Sequence, residues 1–323
     1  MAFPNSMTTG GLLLACAIDA VVGDPRWPLH PVRIMGYAIA WCDEQARHLV
    51  STKAGLRQAG IALAIGLPVA AYAVGWLLIV LAADIHSWLG MAAKVALAYT
   101  TLAGRDLADH VRWVRQALEA HQLEDAREAV SQIVGRDTDE LSEPELVRAT
   151  VETVAESTSD GIVAPLFYLL LGGPPLALAY KAINTMDSMI GHLDERHRDV
   201  GWASARLDDA ANWLPARITA LLIVTAGGLL SGSLDVAKKA WAIVMRDGGK
   251  HPSPNSGRPE AAMAAILGVQ LGGTNLYDGK PVTRPVLGDP GPALTPEHIG
   301  QALMVMVVTY LLAVGLAATI LLL

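Results

Sequence analysis

The chain has 323 residues, of which 52% are hydrophobic and 17% charged, and its formal net charge is −7. An acidic balance excludes a basic nucleic-acid surface, and two cysteines exclude a disulfide framework or a cysteine-ligated zinc. Length allows one large domain or two small ones, so the class is decided by the distribution of apolar runs.

The first run, Ser6–Gly23, is interrupted by Asp19, and residues 1–9 carry no Lys or Arg, so the basic region of a cleavable signal is missing. Ala59–Ala83 then holds no charged residue over 25 positions, and Ile299–Leu323 holds none over another 25. Both exceed the roughly 20 residues needed to cross a hydrocarbon core, which makes this an integral membrane protein. Ala59–Ala83 followed by Ile85–Ala103 reads as a helical hairpin turning at Asp84–Ser87. Gly161–Tyr180 is interrupted by Gly172-Gly173-Pro174-Pro175, the pattern of a re-entrant pair of half-helices whose broken backbone is covered by protein or water. Ile218–Leu234, with Gly227-Gly228, is expected to behave similarly.

Every Lys and Arg except Lys94 falls in segments 24–58, 104–160, 181–217 and 235–298. Excess positive charge marks cytoplasmic segments. All four share that side if the apolar runs return to the face they left; the rival is ordinary single crossings with some polar segments outside. No segment shows sustained strand alternation. The expectation is therefore an all-α, polytopic membrane protein, one embedded domain over 1–323, with 104–160 as a cytoplasmic helical segment.

Within 104–160 the pattern gives helices over about 106–120, 122–134 and 143–158. In the second, Leu123, Ala126, Val130, Ile133 and Val134 share a face; the third opens on the capping box Ser142-Glu143-Pro144-Glu145. Gly104-Arg105-Asp106 and Gly135-Arg136-Asp137 echo each other, which is too little for an internal repeat. Arg148, Glu152, Glu156 and Asp160 recur at i+4 and form one stripe leading into the uncharged run at Gly161. A solvated face steadied by Arg148–Glu152 pairing is one reading. The other is a functional acidic site, since stacked carboxylates need a cation, a proton or water between them.

Past the broken run, Asn184, Asp187 and Gly191 offer an amide, a carboxylate and a gap on one helical face, and Asp208, Asp209 and Asn212 cluster ahead of Trp213. Asp187 suits a hard cation and equally suits an exposed helix. His192 and His197 lack a third ligand at zinc spacing. Residues 249–260 pack Lys250, His251 and Arg258 with Ser253, Asn255 and Ser256 into a prolyl loop, and Pro259 suits the first turn of a following helix. Such a loop is a phosphate cradle at a helix N-terminus or a structured surface turn.

These motifs, in order, resemble the adenosylcobinamide-phosphate synthase family, the integral membrane CbiB/CobD proteins of cobalamin biosynthesis. The resemblance spans almost the whole chain. It rests on Gly23-Asp24-Pro25, His30-Pro31-Val32, the two Gly-Arg-Asp tripeptides, and Glu152-Thr-Val-Ala-Glu156-Ser with Asp160-Gly161. It continues in Asn184-Thr-Met-Asp187-Ser, Asp208-Asp209 with Asn212, Lys250 to Glu260, and Gly272-Gly273 with Asn275 and Tyr277. His197 departs, standing where an aromatic residue is expected.

The resemblance implies an ATP- and Mg2+-dependent ligase joining adenosylcobyric acid to (R)-1-amino-2-propanol O-2-phosphate through an acyl phosphate. It implies catalytic carboxylates at Glu152, Glu156 and Asp160, and magnesium at Asp160 and Asp187. Nucleotide phosphates would fall to Lys250, His251, Ser253, Asn255, Ser256 and Arg258; substrate contacts to Arg105, Asp106, Arg136, Asn184 and Asn275. Arg105 and Arg136 enter as spare cations. The corrinoid brings its own cobalt, and the expected partners are these substrates, membrane lipid, and a second copy or other membrane-bound enzymes of the pathway, with the active site facing the cytoplasm. A membrane sensor sharing the general fold, or a transporter with broken helices, are the alternatives.

Overall fold

A computed structural model describes residues 6–24, 27–192, 196–277 and 279–323; Pro25 of the early motif lies outside them. The chain divides into two compact units, Met1–Ala103 with Ala164–Asn212 and Val314–Leu323, and Gly104–Val163 with Trp213–Ala313. Four helical stretches are long and apolar enough to cross a membrane, among them α3 (Lys53–Ile85) and α13 (Pro296–Leu322). The protein is an all-α polytopic membrane protein with one small β-hairpin.

In the first unit, α1 (Thr9–Val22) and α2 (Pro31–Leu49) precede α3, and α3 turns at His86 into α4 (Ser87–Tyr99). The turn is tight because Gly90 has no side chain: a Cβ there would stand 2.7 Å from the Cβ of Ala83. Ile61, Ile65, Val69 and Leu81 of α3 face outward, as lipid-facing residues do. The helix α8 (Ala164–Ile190) is broken at Gly172 and Gly173, the latter with φ +70°. Tyr168 and Tyr180 stack with ring centroids 4.8 Å apart, although twelve residues of straight helix would separate them by about 18 Å. The half-helices therefore double back on each other, as the Gly-Gly-Pro-Pro break predicts. Both tyrosines end at the short helix α9 (Trp202–Ala211): Tyr168 donates to the carbonyl of Ala211 and Tyr180 to the side chain of Asn212.

In the second unit, α5 (Gly104–Glu119), α6 (Leu123–Ser131) and α7 (Glu143–Thr158) match the three amphipathic helices. Their core includes Val111, Val114, Leu118, Val130, Leu146 and Val147, each at most 2% exposed, where burial stabilises by about 1.5–3 kcal/mol per large side chain. The second helix ends at Ser131, so Ile133 and Val134 follow it rather than extend it. Glu145 accepts from the Ser142 backbone N–H as the capping box requires. A π-helical turn over Ser159–Val163 follows α7.

Two expectations are corrected here. The helix α10 (Trp213–Ser231) runs unbroken through Gly227-Gly228. Gly227 serves packing: a Cβ there would stand 2.1 Å from Ile266 of α12 (Gly257–Leu267). After α11 (Leu234–Asp247) and α12 comes an antiparallel hairpin, β1 (Leu271–Tyr277) and β2 (Lys280–Leu287), which strand alternation did not reveal. Gly272 and Gly273 at positive φ bend β1 beside a register shift, and Pro281 and Pro285 interrupt β2, so no clean period-2 pattern survives.

Candidate functional site

The acidic stripe of α7 is anchored by β1. Arg148 does not pair with Glu152. Its guanidinium donates instead to the carbonyls of Gly272 and Thr274 and to Asn275 Oδ1. Glu152, 4% exposed, accepts from Arg136 at 2.5 Å and from the Gly272 backbone N–H at 2.8 Å. Arg136 is thus no spare cation: its side chain is 6% exposed, and it also donates to Asn275 Oδ1 at 2.8 Å. Asp137 completes the seat, its N–H donating to the carbonyl of Leu276 and its carboxylate accepting from the N–H of Gly279. The second Gly-Arg-Asp motif therefore binds the hairpin to the helical group. In the first, Arg105 pairs with Asp109 at 2.7 Å, and Asp106 lies 3.6 Å from His110. The two motifs do different work, and no repeat is present.

Glu156 is the open member of the stripe, exposed on α7 and accepting from Ser256 Oγ at 2.7 Å. That contact joins it to the prolyl loop. The loop is wound around its own donors: Ser253 Oγ accepts the N–H groups of Asn255 and Ser256, and His251 Nδ1 accepts that of Ser253 at 3.0 Å. Lys250 is held 2.6 Å from Asp247. Asp247, 1% exposed, also accepts from Arg246 and from the Gly288 N–H; these bonds, Arg246 first, hold its carboxyl far below the ordinary range. Arg258 Nε is buried without a hydrogen-bond partner.

Two residues of this cluster received no role from the sequence. Glu260, in the first turn of α12, is 3% exposed. Burial first, then the charges of Glu152 and Glu156, push its carboxyl well above the ordinary range. Arg284 of β2 donates to the Tyr277 hydroxyl at 2.8 Å and lies 3.3 Å from His251 Nε2. Burial and that guanidinium lower the His251 pKa, so the imidazole is neutral near pH 7. Glu260 stands two positions after Arg258, where the loop's polar run had already been read; a carboxylate entering an otherwise apolar helix was the signal. Arg284 gave none, since only the hairpin brings it back to the loop.

The other unit builds a second polar group. Asp208, 9% exposed, accepts from Asn212 at 2.9 Å and from Asn184 at 3.5 Å, and Asn212 accepts from Tyr180. Its pKa is raised to about 7 by burial, then by the charge of Asp187, against the two amides. Gly191 leaves no open gap: the space beside it is filled by Asp187, whose Oδ1 would stand 2.0 Å from a Cβ there.

Asp160 lies half-buried on the π turn, in a different unit from Asp187. Among the described residues no group of three or more His, Cys, Asp or Glu is disposed to hold a metal. Mg2+ asks for less, since it binds through one or two carboxylates together with substrate phosphates and keeps its waters. A single carboxylate such as Asp160 or Asp187 is enough for an ion that arrives with a nucleotide.

Residues 12–306 match the model of the CobD/CbiB protein family. The chain is 48% identical over 291 residues, 88% of each chain, to the cobalamin biosynthesis protein CobD of Geobacter metallireducens. It is 43% identical over 313 residues, 96% of each chain, to the cobalamin biosynthesis protein CbiB of Salmonella typhimurium, and 43% identical over 311 residues, again 96% of each, to the protein CobD of Klebsiella pneumoniae. No solved structure matches.

Proposed function

The chain belongs to the CobD/CbiB family, and from its relatives' role in cobalamin biosynthesis we propose that it is a membrane-bound enzyme of that pathway. Its reaction is the ATP-dependent joining of adenosylcobyric acid to (R)-1-amino-2-propanol O-2-phosphate. A carboxylate and an amine do not condense in water at useful rates, so the acid is first activated, and an acyl phosphate is the economical form. When bound, Mg-ATP supplies the phosphoryl group and neutralises the charge that develops during its transfer.

The observation that supports this reading best is the division of labour among the carboxylates. Glu152 is locked against Arg136 and Gly272 and so orients α7 and β1. Glu156 stays open beside the N-terminus of α12, whose positive end favours anions. Lys250, Arg258 and that helix end meet phosphate oxygens, and His251, Ser253, Asn255 and Ser256 hold the loop in shape around them. Glu156 and Asp160 orient the reacting carboxyl group; Asp160 in this unit and Asp187 in the other are each, by itself, a carboxylate for magnesium. Arg105, Asp106, Asn184 and Asn275 contribute to substrate binding, the last by holding Arg136 and Arg148.

Segments 104–160 and 235–298 share the cytoplasmic side, where ATP is available. Ser131 and Thr283 are exposed, so cysteines placed there, with Cys16 and Cys42 replaced, should be labelled from the same face. Labelling from opposite faces would disprove that topology. The activity is tested by incubating the detergent-purified chain with both substrates and Mg-ATP. The amide should form with stoichiometric nucleotide hydrolysis; binding without amide would point to a sensor or transporter instead.

A further inference from the structure

Glu260 is buried in the first turn of α12 without a hydrogen-bond donor to its carboxyl among the described residues. Its side chain is 3% exposed, and its one close polar neighbour, His251 Nε2, stands at 3.9 Å, too long for a hydrogen bond. No hydrogen bond reaches its carboxyl oxygens from the described residues. With the imidazole neutral and the carboxyl pushed upward, the two do not form an ion pair. A buried carboxyl without a donor is costly, and this one braces no turn, cap or strand. Ser256, one turn before Glu260 on α12, donates to Glu156 of α7 at 2.7 Å, and the charges of Glu152, Glu156, Arg284 and Arg136 all act on the Glu260 carboxyl. Asn275, which accepts from Arg136 and Arg148, leaves its Nδ2 buried and unpartnered, and Arg258 Nε, two residues before Glu260 in the chain, is likewise buried and unpartnered.

We propose that Glu260 and Glu156 form the seat for the ammonium group of the acceptor substrate, with the phosphate of the same molecule lying toward Arg258 and Arg284. This rests on the ligase reading and specifies which substrate the loop reads. An ammonium carries three donors and no acceptor. Both oxygens of Glu152 are already engaged, by Arg136 and by the Gly272 N–H. Glu156 accepts from Ser256 on one oxygen, and its second oxygen and both of Glu260 accept no hydrogen bond from the described residues. A compact organic monocation with three donors suits this small set of acceptors. Guanidinium groups beside the carboxyls suit a small molecule that carries both signs of charge.

The test uses detergent-purified full-length protein and two probes, 1-amino-2-propanol phosphate and 2-propyl phosphate, which share the phosphate and differ in the amine. The wild type should prefer the amine at least about tenfold, the worth of one charge-assisted contact. Glu260→Gln keeps shape and burial; it should remove that preference while binding 2-propyl phosphate as before. Glu156→Gln, at an exposed position where folding is not at stake, should reduce the preference about threefold, as a half-solvated contact would. Equal binding of the two probes by the wild type overturns the proposal, and so does an unchanged preference in Glu260→Gln. If Glu260→Gln fails to fold, an unchanged preference in Glu156→Gln overturns it. The ligase reading fails separately. A wild type that prefers the amine but makes no amide sinks the ligase and leaves the seat standing. Amide made by wild type and Glu260→Gln at equal acceptor KM does the reverse.

Discussion

Glu152 and Asp208 are buried to similar depths, 4% and 9% exposed, and are kept there by different chemistry. Glu152 meets the guanidinium of Arg136 and a backbone N–H. Asp208 meets two side-chain amides and has a second carboxylate, Asp187, as an electrostatic neighbour. A guanidinium is a permanent cation, so the pairing it offers a carboxylate does not depend on a proton of its own. Amides leave the charge conditional on a proton or an arriving cation. The first arrangement makes an anchor and the second a group that responds. Within the second unit the same distinction separates Glu152, which is tied down, from Glu156 and Glu260, which are not.

The largest test breaks the anchor. Arg136→Met should destabilise the detergent-solubilised protein by about 3–5 kcal/mol, because it leaves Glu152 buried, charged and unpaired. Glu152→Met in the same background should recover most of that loss, since replacing both partners by apolar groups is often close to neutral. Thermal unfolding of the two variants measures both terms. A single variant as stable as the wild type would mean that the pair contributes little and that Arg136 is free for substrate after all.

A smaller effect, on rate rather than stability, is expected from the open carboxylate. Glu156→Gln should lower turnover about a hundredfold while leaving unfolding unchanged, as loss of one charge-stabilising group commonly does. Near-normal amide synthesis would return Glu156 to an ordinary solvated residue. Lys250→Ala comes next, with an expected rise of about tenfold in KM for ATP, the lower end for a contact to a charged group. The lower end applies because Lys250 is already engaged by Asp247 and offers the nucleotide only its remaining donors. No change in that KM would leave the loop to the acceptor alone.

Much of this was legible in the chain. Period-3.6 patterning placed α5, α6 and α7, and Ser142 with Glu145 fixed the start of the last. Gly172-Gly173-Pro174-Pro175 announced the doubling back that the Tyr168–Tyr180 stack demonstrates. What escaped depends on contacts between distant segments. Arg136 and Glu152 are sixteen residues apart but share a site only because Asn275 and Gly272 arrive on β1. The expected Arg148–Glu152 pair was the better local guess; it lost to the strand carbonyls that capture Arg148. The hairpin had one signal, Asp278-Gly279 between two strand-forming runs, obscured by glycines and prolines on either side. Glycine pairs also look alike in sequence: Gly172-Gly173 breaks a helix, whereas Gly227-Gly228 lets two helices approach, and the prolines that follow the first pair make the difference.

The finest test asks whether Asp208 really responds. Its carboxyl titrates near 3.8 in an unfolded chain and at about 7 in the fold, owing to burial first and then to Asp187. Between those values the folded state binds more protons than the unfolded one, so stability falls as pH rises from about 4 to about 7. Three pKa units would correspond to about 4 kcal/mol at most, and sharing of the effect with Asp187 reduces what one substitution can recover. Asp208→Asn keeps an oxygen to accept from Asn212 and Asn184 but cannot ionise. At pH 3, where Asp208 is protonated in both the folded and the unfolded chain, it should match the wild type within about 0.5 kcal/mol, the scatter of a neutral substitution. At pH 8 it should be more stable by about 1–2 kcal/mol, because the wild type there carries a charge that its surroundings disfavour. Unfolding temperatures measured across that range decide the matter. Parallel curves for the two proteins would mean that burial and Asp187 do not shift the Asp208 carboxyl, and the contrast between the two regions would be lost.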